Sequence, residues 1–386
     1  MKPRVIRLVT EAEVILFHMQ NTLKRLSADF EVCVVGAGVS RYRIDFPNVT
    51  FVDINITRKP NLLADWHALI GLCKLYRAYQ PDIVHSIMPK AGLLSALAGF
   101  FTGVPTRLHT FTGQVWAARS GLSRRAYRLL DKIITTLNTT CTTDSFSQSK
   151  FLYENGISKK GIPLPVLCEG SLSGVDLDRF NLHSTAAEAN ILRTKLGFDQ
   201  KFVFTFIARK TRDKGAIDIL RAFSSVVATF SDARLLFVGP DEDGEIDRLV
   251  TGHPELFVGV TNVGQVTNHE IFLAVTDVLC LPSYREGFGS IVIDAAAMQV
   301  PTIGSRIPGL TDSIVDGKTG LLSSPGNLSE LVEHMQHLLK NPTLRHKMGV
   351  AAKARVDEVF TADLLYVALR DFYLSFPIVR PYRSSQ

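Results

Sequence analysis

Short apolar runs alternate with amphipathic helical stretches along the whole chain, and this alternation constrains the fold more than any other feature. Residues 4–9, 30–36, 49–54, 82–85 and 107–110 read as strands. Between them, residues 17–26, 62–79 and 90–102 carry helical spacing; Pro81 ends the second of these helices, and Gly103 with Pro105 closes the third. Helices over 123–137 and a strand–helix step over 142–151 follow. A second series starts at 202–208, a continuous apolar run typical of a central parallel strand. It continues through strands at 234–238, 256–262, 277–281, 302–304 and 320–322 and closes with helices over 328–339, from 342 onward, and over 362–375. Strands and helices alternating at this period imply parallel sheets covered on both faces. At 386 residues, two cores are expected rather than one. The Gly/Ser-rich stretch 170–180 separates the two series, which places a domain boundary near 180–200.

Composition narrows the class. Apolar residues make up 46% and charged residues 21%, as in ordinary soluble globular proteins. The five cysteines are scattered and odd in number, without a CxxC pair, so they read as small buried side chains in a reducing compartment. The chain enters a strand within its first residues, so no secretory leader is expected. No run reaches the length of a spanning helix; the longest candidate, 92–104, reads as a buried helix. Residues 1–180 carry 22 Lys+Arg against 14 Asp+Glu, a net +8, while the whole chain is +6. A basic first half suits an anionic partner: a membrane surface, a phosphorylated acceptor or nucleic acid. A solvated basic surface explains the charge equally well, and no motif supports nucleic acid.

Residues 278–294 carry the most explicit chemistry. An apolar strand runs into Pro282 and a Gly-rich turn, and a helix follows. Glu286 lies on the turn and Asp294 about two helical turns further on. The backbone N–H groups of Gly287, Phe288, Gly289, Ser290 and Ile291 lie between them, and a helix start with bare N–H donors favours an anion. Carboxylates beside such a start favour hydroxyls, so a ligand with phosphates in the middle and hydroxyls at both ends fits; a nucleotide-sugar is one. Asp294, set among Ile291, Val292, Ile293, Ala295 and Ala296, needs a polar partner. Arg209 and Lys214 follow the end of the central strand 202–208 and suit a diphosphate, although Lys210 and Arg212 beside them also permit a solvated basic loop. His85, Lys90 and His109 lie at strand ends of the first series, where ligands bind in such sheets. His109 is the candidate acid/base or electrostatic residue there, with a satisfied structural histidine as the alternative. Residues 241–243 (Asp-Glu-Asp) read as a solvated turn, so no metal is expected.

Taken together these segments resemble the retaining glycosyltransferases of family four, which have the GT-B fold. The resemblance runs through Asp82-Ile83-Val84-His85 into Pro89-Lys90-Ala91-Gly92, then His109-Thr110-Phe111-Thr112-Gly113 and Gly174-Val175-Asp176-Leu177-Asp178-Arg179-Phe180. It continues through Arg209 to Lys214-Gly215, Ser283-Tyr284-Arg285-Glu286-Gly287-Phe288-Gly289, and Pro308-Gly309-Leu310-Thr311-Asp312. Within the family the chain resembles bacterial enzymes that extend lipid-linked oligosaccharides for capsule, O-antigen or glycoprotein assembly. The resemblance implies an α/β fold of two Rossmann-like domains facing across a cleft. The domains would be 1–185 for the acceptor, 186–362 for the nucleotide-sugar, and a C-terminal helix and tail, 363–386, returning to the first. It implies transfer of a hexose or N-acetylhexosamine from a UDP-sugar, with retention and without metal or other cofactor. Arg209 and Lys214 would hold the donor diphosphate, Glu286 the sugar hydroxyls, His109 the sugar, and Asp294, where the family has Glu, the ribose. The acceptor would be a polyprenyl-diphosphate-linked glycan, with Arg119, Arg124, Arg125 and Arg128 meeting an anionic membrane from the cytoplasmic side and His85 and Lys90 near the acceptor. The family's glycine-rich first loop is absent, since residues 10–16 contain no glycine. An epimerase or hydrolase on the same fold, or a non-catalytic sugar-binding subunit, are the alternatives.

Overall fold

The computed structural model describes residues 2–158 and 161–378, and the chain divides into two units, 1–174 with 362–386, and 175–361. The first unit opens with β1 (Arg4–Glu11), α1 (Gln20–Asp29), β2 (Glu31–Ala37) and β3 (Val49–Asp53). It continues with α2 (Leu62–Tyr79), β4 (Ile83–Ile87), α3 (Pro89–Thr102), β5 (Thr106–Phe111), α4 (Gly121–Leu137), β6 (Thr140–Thr143) and α5 (Phe146–Glu154). All six strands are parallel in the order β3-β2-β1-β4-β5-β6. Alternate residues of β1 point to opposite faces, as a strand period of two requires. Val5 and Val9 join one buried cluster with Leu23, Leu26 and Phe30; Ile6 and Leu8 join another with Leu72, Tyr76 and Leu94.

The second unit contains α6 (Leu182–Lys195), β7 (Phe202–Ile207), α7 (Ala216–Thr229), β8 (Ala233–Val238), α8 (Glu245–Gly252), β9 (Val260–Val263), α9 (His269–Ala274) and β10 (Val278–Leu281). Then follow α10 (Ser290–Ala297), β11 (Thr302–Ser305), α11 (Leu310–Ser313), β12 (Gly320–Ser323), α12 (Leu328–Lys340) and α13 (Pro342–Val359). Its sheet is also parallel, in the order β12-β11-β10-β7-β8-β9. The chain starts in the middle at β7, builds outward to β9, then returns to β10 on the other side of β7. Between β7 and β10 the winding direction reverses, and the helices that follow the two strands, α7 and α10, pack on opposite faces of the sheet. That leaves a crevice at their C-terminal ends, where open α/β sheets take ligands.

The last helix, α14 (Ala362–Leu374), belongs to the first unit and lies on α1. Leu369 and Tyr373 enter the core there, the Tyr373 ring meets Phe30 edge-on at 5.6 Å, and Arg25 pairs with Asp363. Residues 379–386 of the expected tail lie outside the described residues. The expected boundary at 185/186 falls inside α6, while the division lies at Gly174/Val175. Val175 N–H donates to Phe360 O at 2.8 Å, which ties the start of the second unit to its end. α6 escaped the sequence reading because its apolar residues are few and show no clear stripe. The strand expected over 256–262 is shorter: a 3-10 turn, Pro254–Phe257, precedes β9. The first helix differs from the expectation: helical turns begin at Glu13, and a wide π-helical turn, Ile15–Met19, runs into α1 and buries Ile15 and Met19.

Candidate active site

Two loops meet at the crevice of the second unit. One leaves β7 and carries Arg209 and Lys214; the other leaves β10 and carries Glu286. Their close packing depends on glycine. A Cβ on Gly215 would lie 2.1 Å from Pro282 O, and one on Gly239 would lie 1.8 Å from Ala208 O. Both glycines have positive φ, 73° and 136°. Lys210 braces the first loop from beneath. It is buried, donates to Asn262 Oδ1 at 2.5 Å and Val263 O at 2.6 Å, and lies 4.9 Å from the Phe237 ring centroid. Burial draws its pKa down to about 8.

Lys214 Nζ lies 2.6 Å from Glu286 Oε2, and both side chains are nearly buried, at 16% and 10% exposure. Ser283 Oγ donates to the other oxygen, Oε1, at 2.8 Å. Arg209 pairs with Glu242 at 2.9 Å and lies 3.7 Å from Asp213, which Arg285 also approaches at 2.9 Å. Burial alone would raise the Asp213 pKa, but the Thr211 hydroxyl and the two guanidiniums outweigh it and hold it below its usual value. The loop is therefore a bonded network, and the reading of 209–215 as a solvated basic loop is replaced. The 241–243 turn is also more than solvated. Asp241 caps α8 through Glu245 N and Ile246 N at 3.1 and 3.0 Å, and Glu242 is the Arg209 partner.

Helix α10 opens at the same place. Gly289, at φ 80°, is its cap, and no side chain caps it, so the first-turn N–H groups of Ser290 and Ile291 lack helical acceptors. Phe288 is buried against Phe360, ring centroids 5.3 Å apart, and anchors the turn. Gly309 closes over it: a Cβ there would lie 2.3 Å from Gly287 O. Asp294 does not share a partner with Glu286. Its Oδ2 lies 3.3 Å from His269 Nε2, a residue the sequence reading passed over. The only signal for it was position, at the start of the helix that feeds β10.

In the first unit, His109 is buried on β5 beneath α3, its Nδ1 2.9 Å from Ser86 Oγ. Ser86 Oγ also donates to Leu108 O at 3.3 Å, so Nδ1 is the donor to Ser86 and Nε2 carries the lone pair. A Cβ on Gly92 would lie 2.4 Å from the ring, so α3 crosses His109 only because residue 92 is glycine. Burial draws the His109 pKa down to about 3, so at neutral pH it accepts or orients and does not donate a proton from a cation. His85 is a structural residue instead of an acceptor contact. Nδ1 lies 2.6 Å from Tyr373 Oη and Nε2 2.7 Å from Thr110 Oγ1, so both nitrogens are taken. Lys90 likewise spends its ammonium on Asp65 at 2.5 Å, Thr57 Oγ1 at 2.8 Å and Lys59 O at 2.7 Å, holding the 57–59 loop to α3.

The four arginines differ. Arg124 and Arg128 lie over the buried Trp116 ring at 5.5 and 5.7 Å, and Arg128 also donates to Asn155 O at 2.6 Å. Arg119 covers Tyr127 at 4.6 Å, and Arg125 is exposed. Among the described residues no group of three or more His, Cys, Asp or Glu is arranged to hold a metal, and no helix is long and apolar enough to cross a membrane.

The comparisons agree with this architecture. The family model described as glycosyl transferases group 1 matches residues 188–355, and the glycosyl transferase 4-like domain matches 11–158. The capsular polysaccharide biosynthesis glycosyltransferase CapM of Staphylococcus aureus is 27% identical over 331 residues, covering 84% of each chain. N-acetyl-alpha-D-glucosaminyl L-malate synthase of Bacillus anthracis is 29% identical over 171 residues, 44% of this chain and 45% of that protein. Among solved structures, sucrose-phosphate synthase from Thermosynechococcus elongatus superposes with a TM-score of 0.79 at 19% identity, covering 97% of this chain and 98% of that one. Anabaena Alr3699/HepE, solved with UDP-glucose, gives 0.78 at 15%, covering 97% and 100%. The first half of the chain thus carries a glycosyl transferase 4-like domain and the second half a glycosyl transferases group 1 domain, on two doubly wound parallel sheets of the GT-B class.

Proposed function

We propose that the chain is a retaining, metal-independent hexosyl- or N-acetylhexosaminyltransferase. It moves a sugar from a UDP-sugar to a polyprenyl-diphosphate-linked saccharide in surface polysaccharide or glycoprotein glycan assembly. The observation that carries this is the Lys214–Glu286 pair at the crevice, with Arg209 on the same loop: fixed cations beside a carboxylate suit a diphosphate joined to a hydroxylated sugar. The capsular role of the CapM relative and the UDP-glucose bound by HepE support the same reading.

In this reaction the bond between the anomeric carbon and the diphosphate oxygen breaks as the acceptor oxygen bonds to that carbon on the same face. The acceptor proton passes to the departing diphosphate. Arg209 and Lys214 meet the charge that grows on that leaving group, so they stabilise the transition state more than the ground state. Lys214 turns from Glu286 to the phosphate, and Glu286 is released to the sugar hydroxyls. The bare N–H groups at the start of α10 supply further anion donors. Asp294 takes the ribose, and neutral His109 orients the sugar.

A peripheral site on the inner face of the cytoplasmic membrane completes the reading. The surface for it extends beyond the arginines of α4. Leu62, Leu63 and Trp66 on the first turns of α2 are 88%, 75% and 60% exposed, beside the exposed Arg58 and Lys59. On α4, Leu122 and Leu129 are exposed beside Arg125. Leu and Trp next to Arg and Lys is the composition of interfacial helices.

The test is incubation with a panel of UDP-sugars and synthetic lipid-diphosphate glycans, with products read by mass and linkage. UDP release that requires acceptor, with an α-linked product from an α-linked donor, is expected. Release independent of acceptor, or no turnover across the panel, refutes the transferase reading. Flotation with anionic liposomes at rising salt tests the membrane contact; absent or salt-insensitive binding counts against it.

A further inference from the structure

The segment Val175–Phe180 carried a sequence resemblance but no role, and His269 carried neither. The structure joins them to Asp294. Arg179 Nη2 donates to Thr267 O at 2.6 Å, and its Nε and Nη2 reach Glu270 Oε2 at 3.0 and 2.6 Å, so it clamps the first turn of α9. The same Nη2 lies 3.5 Å from His269 Nδ1. Both Nη2 hydrogens go to Thr267 O and Glu270 Oε2, and a carboxylate only accepts, so the nitrogen facing Asp294, Nε2, is the one that carries hydrogen. That N–H points at Asp294 Oδ2, 3.3 Å away. The ring is fixed on its flank by buried Phe180, centroids 5.1 Å apart, and the Arg179 guanidinium covers the Phe180 ring at 5.2 Å.

Asp294 has 15% of its side chain exposed on a helix otherwise lined by apolar residues. Its Oδ2 is engaged by His269, while Oδ1 makes no hydrogen bond among the described residues. A short carboxylate on a helix has two side-chain torsions, and without a fixed donor its oxygens exchange places. With His269 holding Oδ2, Oδ1 is presented in one direction.

We propose that His269, set by Arg179 and Phe180, is a positioning residue that fixes Asp294 so that Oδ1 receives the ribose hydroxyls of the donor nucleotide. The inference rests on the proposed assignment of Asp294 to the ribose and adds the device that makes an aspartate serve there. It also gives the 175–180 segment its role: Arg179 reaches across to α9 and clamps the turn that carries the histidine.

The experiment compares binding of UDP and of 2′,3′-dideoxy-UDP to the full chain by titration calorimetry. The variants are His269→Ala, His269→Gln and Asp294→Ala. Wild type is expected to prefer UDP over the dideoxy analogue by about tenfold or more, since a hydroxyl on a carboxylate is a charge-assisted bond. Asp294→Ala removes that preference. His269→Ala weakens UDP by about tenfold and leaves the dideoxy analogue unchanged, because the loss is confined to the ribose contact. His269→Gln, whose amide N–H reaches nearly the position of Nε2, restores most of the preference. If wild type shows no preference, the ribose assignment falls, and this inference with it. If wild type discriminates and His269→Ala discriminates equally, or weakens both ligands alike, the assignment stands and the positioning role is overturned. Melting curves of each variant separate misfolding from either outcome, with His269→Gln as the variant that retains bulk and hydrogen bonding.

Discussion

Replacing Lys214 by methionine isolates the pair at the centre of the site, because methionine keeps most of the aliphatic bulk and removes the charge. At 2.6 Å the gross attraction between Lys214 and Glu286 is about 6 kcal/mol at an effective dielectric near 20. Most of it offsets the desolvation of two nearly buried ions. Removing one partner of a buried pair costs about 3–5 kcal/mol, since the other charge stays behind. Here Ser283 still donates to Glu286 at 2.8 Å, and the remaining exposure admits water, so about 2–3 kcal/mol is expected for Lys214→Met. Over a unit the size of 175–361, that corresponds to a fall of about 5–10 °C in the transition of that unit. Glu286→Gln keeps an oxygen near the ammonium and costs less. The double variant leaves no charge unpaired, so its loss falls short of the sum of the single losses by about 2 kcal/mol. Urea or thermal unfolding of the four proteins in the absence of nucleotide measures this without reference to activity. Additivity within about 0.5 kcal/mol would show that the two ions are not coupled in the folded protein and would refute the reasoning.

The remaining predictions concern the first unit. Gly92→Ala gains helix propensity but sets a Cβ 2.4 Å from His109; overpacking of about 1–3 kcal/mol outweighs it, so melting falls, and a variant as stable as wild type would count against the close crossing. Asp131, buried on α4, has its pKa raised to about 7 by burial, partly offset by the Trp116 N–H that donates to it at 2.6 Å. An acid raised on folding holds its proton more tightly in the native state, so its contribution is intact below the unfolded value near 4 and is lost as pH climbs to about 7. Asp131→Asn keeps an acceptor for Trp116 and escapes this loss. Its advantage over wild type is expected to grow from about pH 4 to about pH 7 and then stay level, reaching about 1–3 kcal/mol; an advantage constant with pH would sink the idea. Because His109 stays neutral down to about pH 3, turnover between pH 5 and 8 is expected to show no inflection that His109→Asn abolishes.

Local pattern was enough for several parts of this protein. The period of apolar runs identified both strand–helix series, since strands and helices impose their periods residue by residue. The Gly-rich turn at 287–289 and the helix after it followed from local backbone chemistry, and so did the placing of Arg209, Lys214 and Glu286 on loops that leave strands. What lay beyond reach was which side chain meets which. His85 and Lys90 stand at strand ends like ligand residues, yet their partners come from α14 and from the 57–65 segment, so one became structural and the other a brace. Lys210 looked like one more surface cation and is a buried strut.

The sequence by itself determined the element pattern, the two-domain plan and the kinds of functional groups available. Only the tertiary structure decided their pairing. β7 lies beside β10 in the sheet although more than seventy residues separate them, and that adjacency brings Lys214 onto Glu286. The loop before α9 places His269 on Asp294 in the same way. The physical reason is that strand order and side-chain contact depend on which surfaces bury together across the whole unit. A carboxylate's neighbours along the chain show that it needs a partner, but they carry no record of which distant residue supplies it.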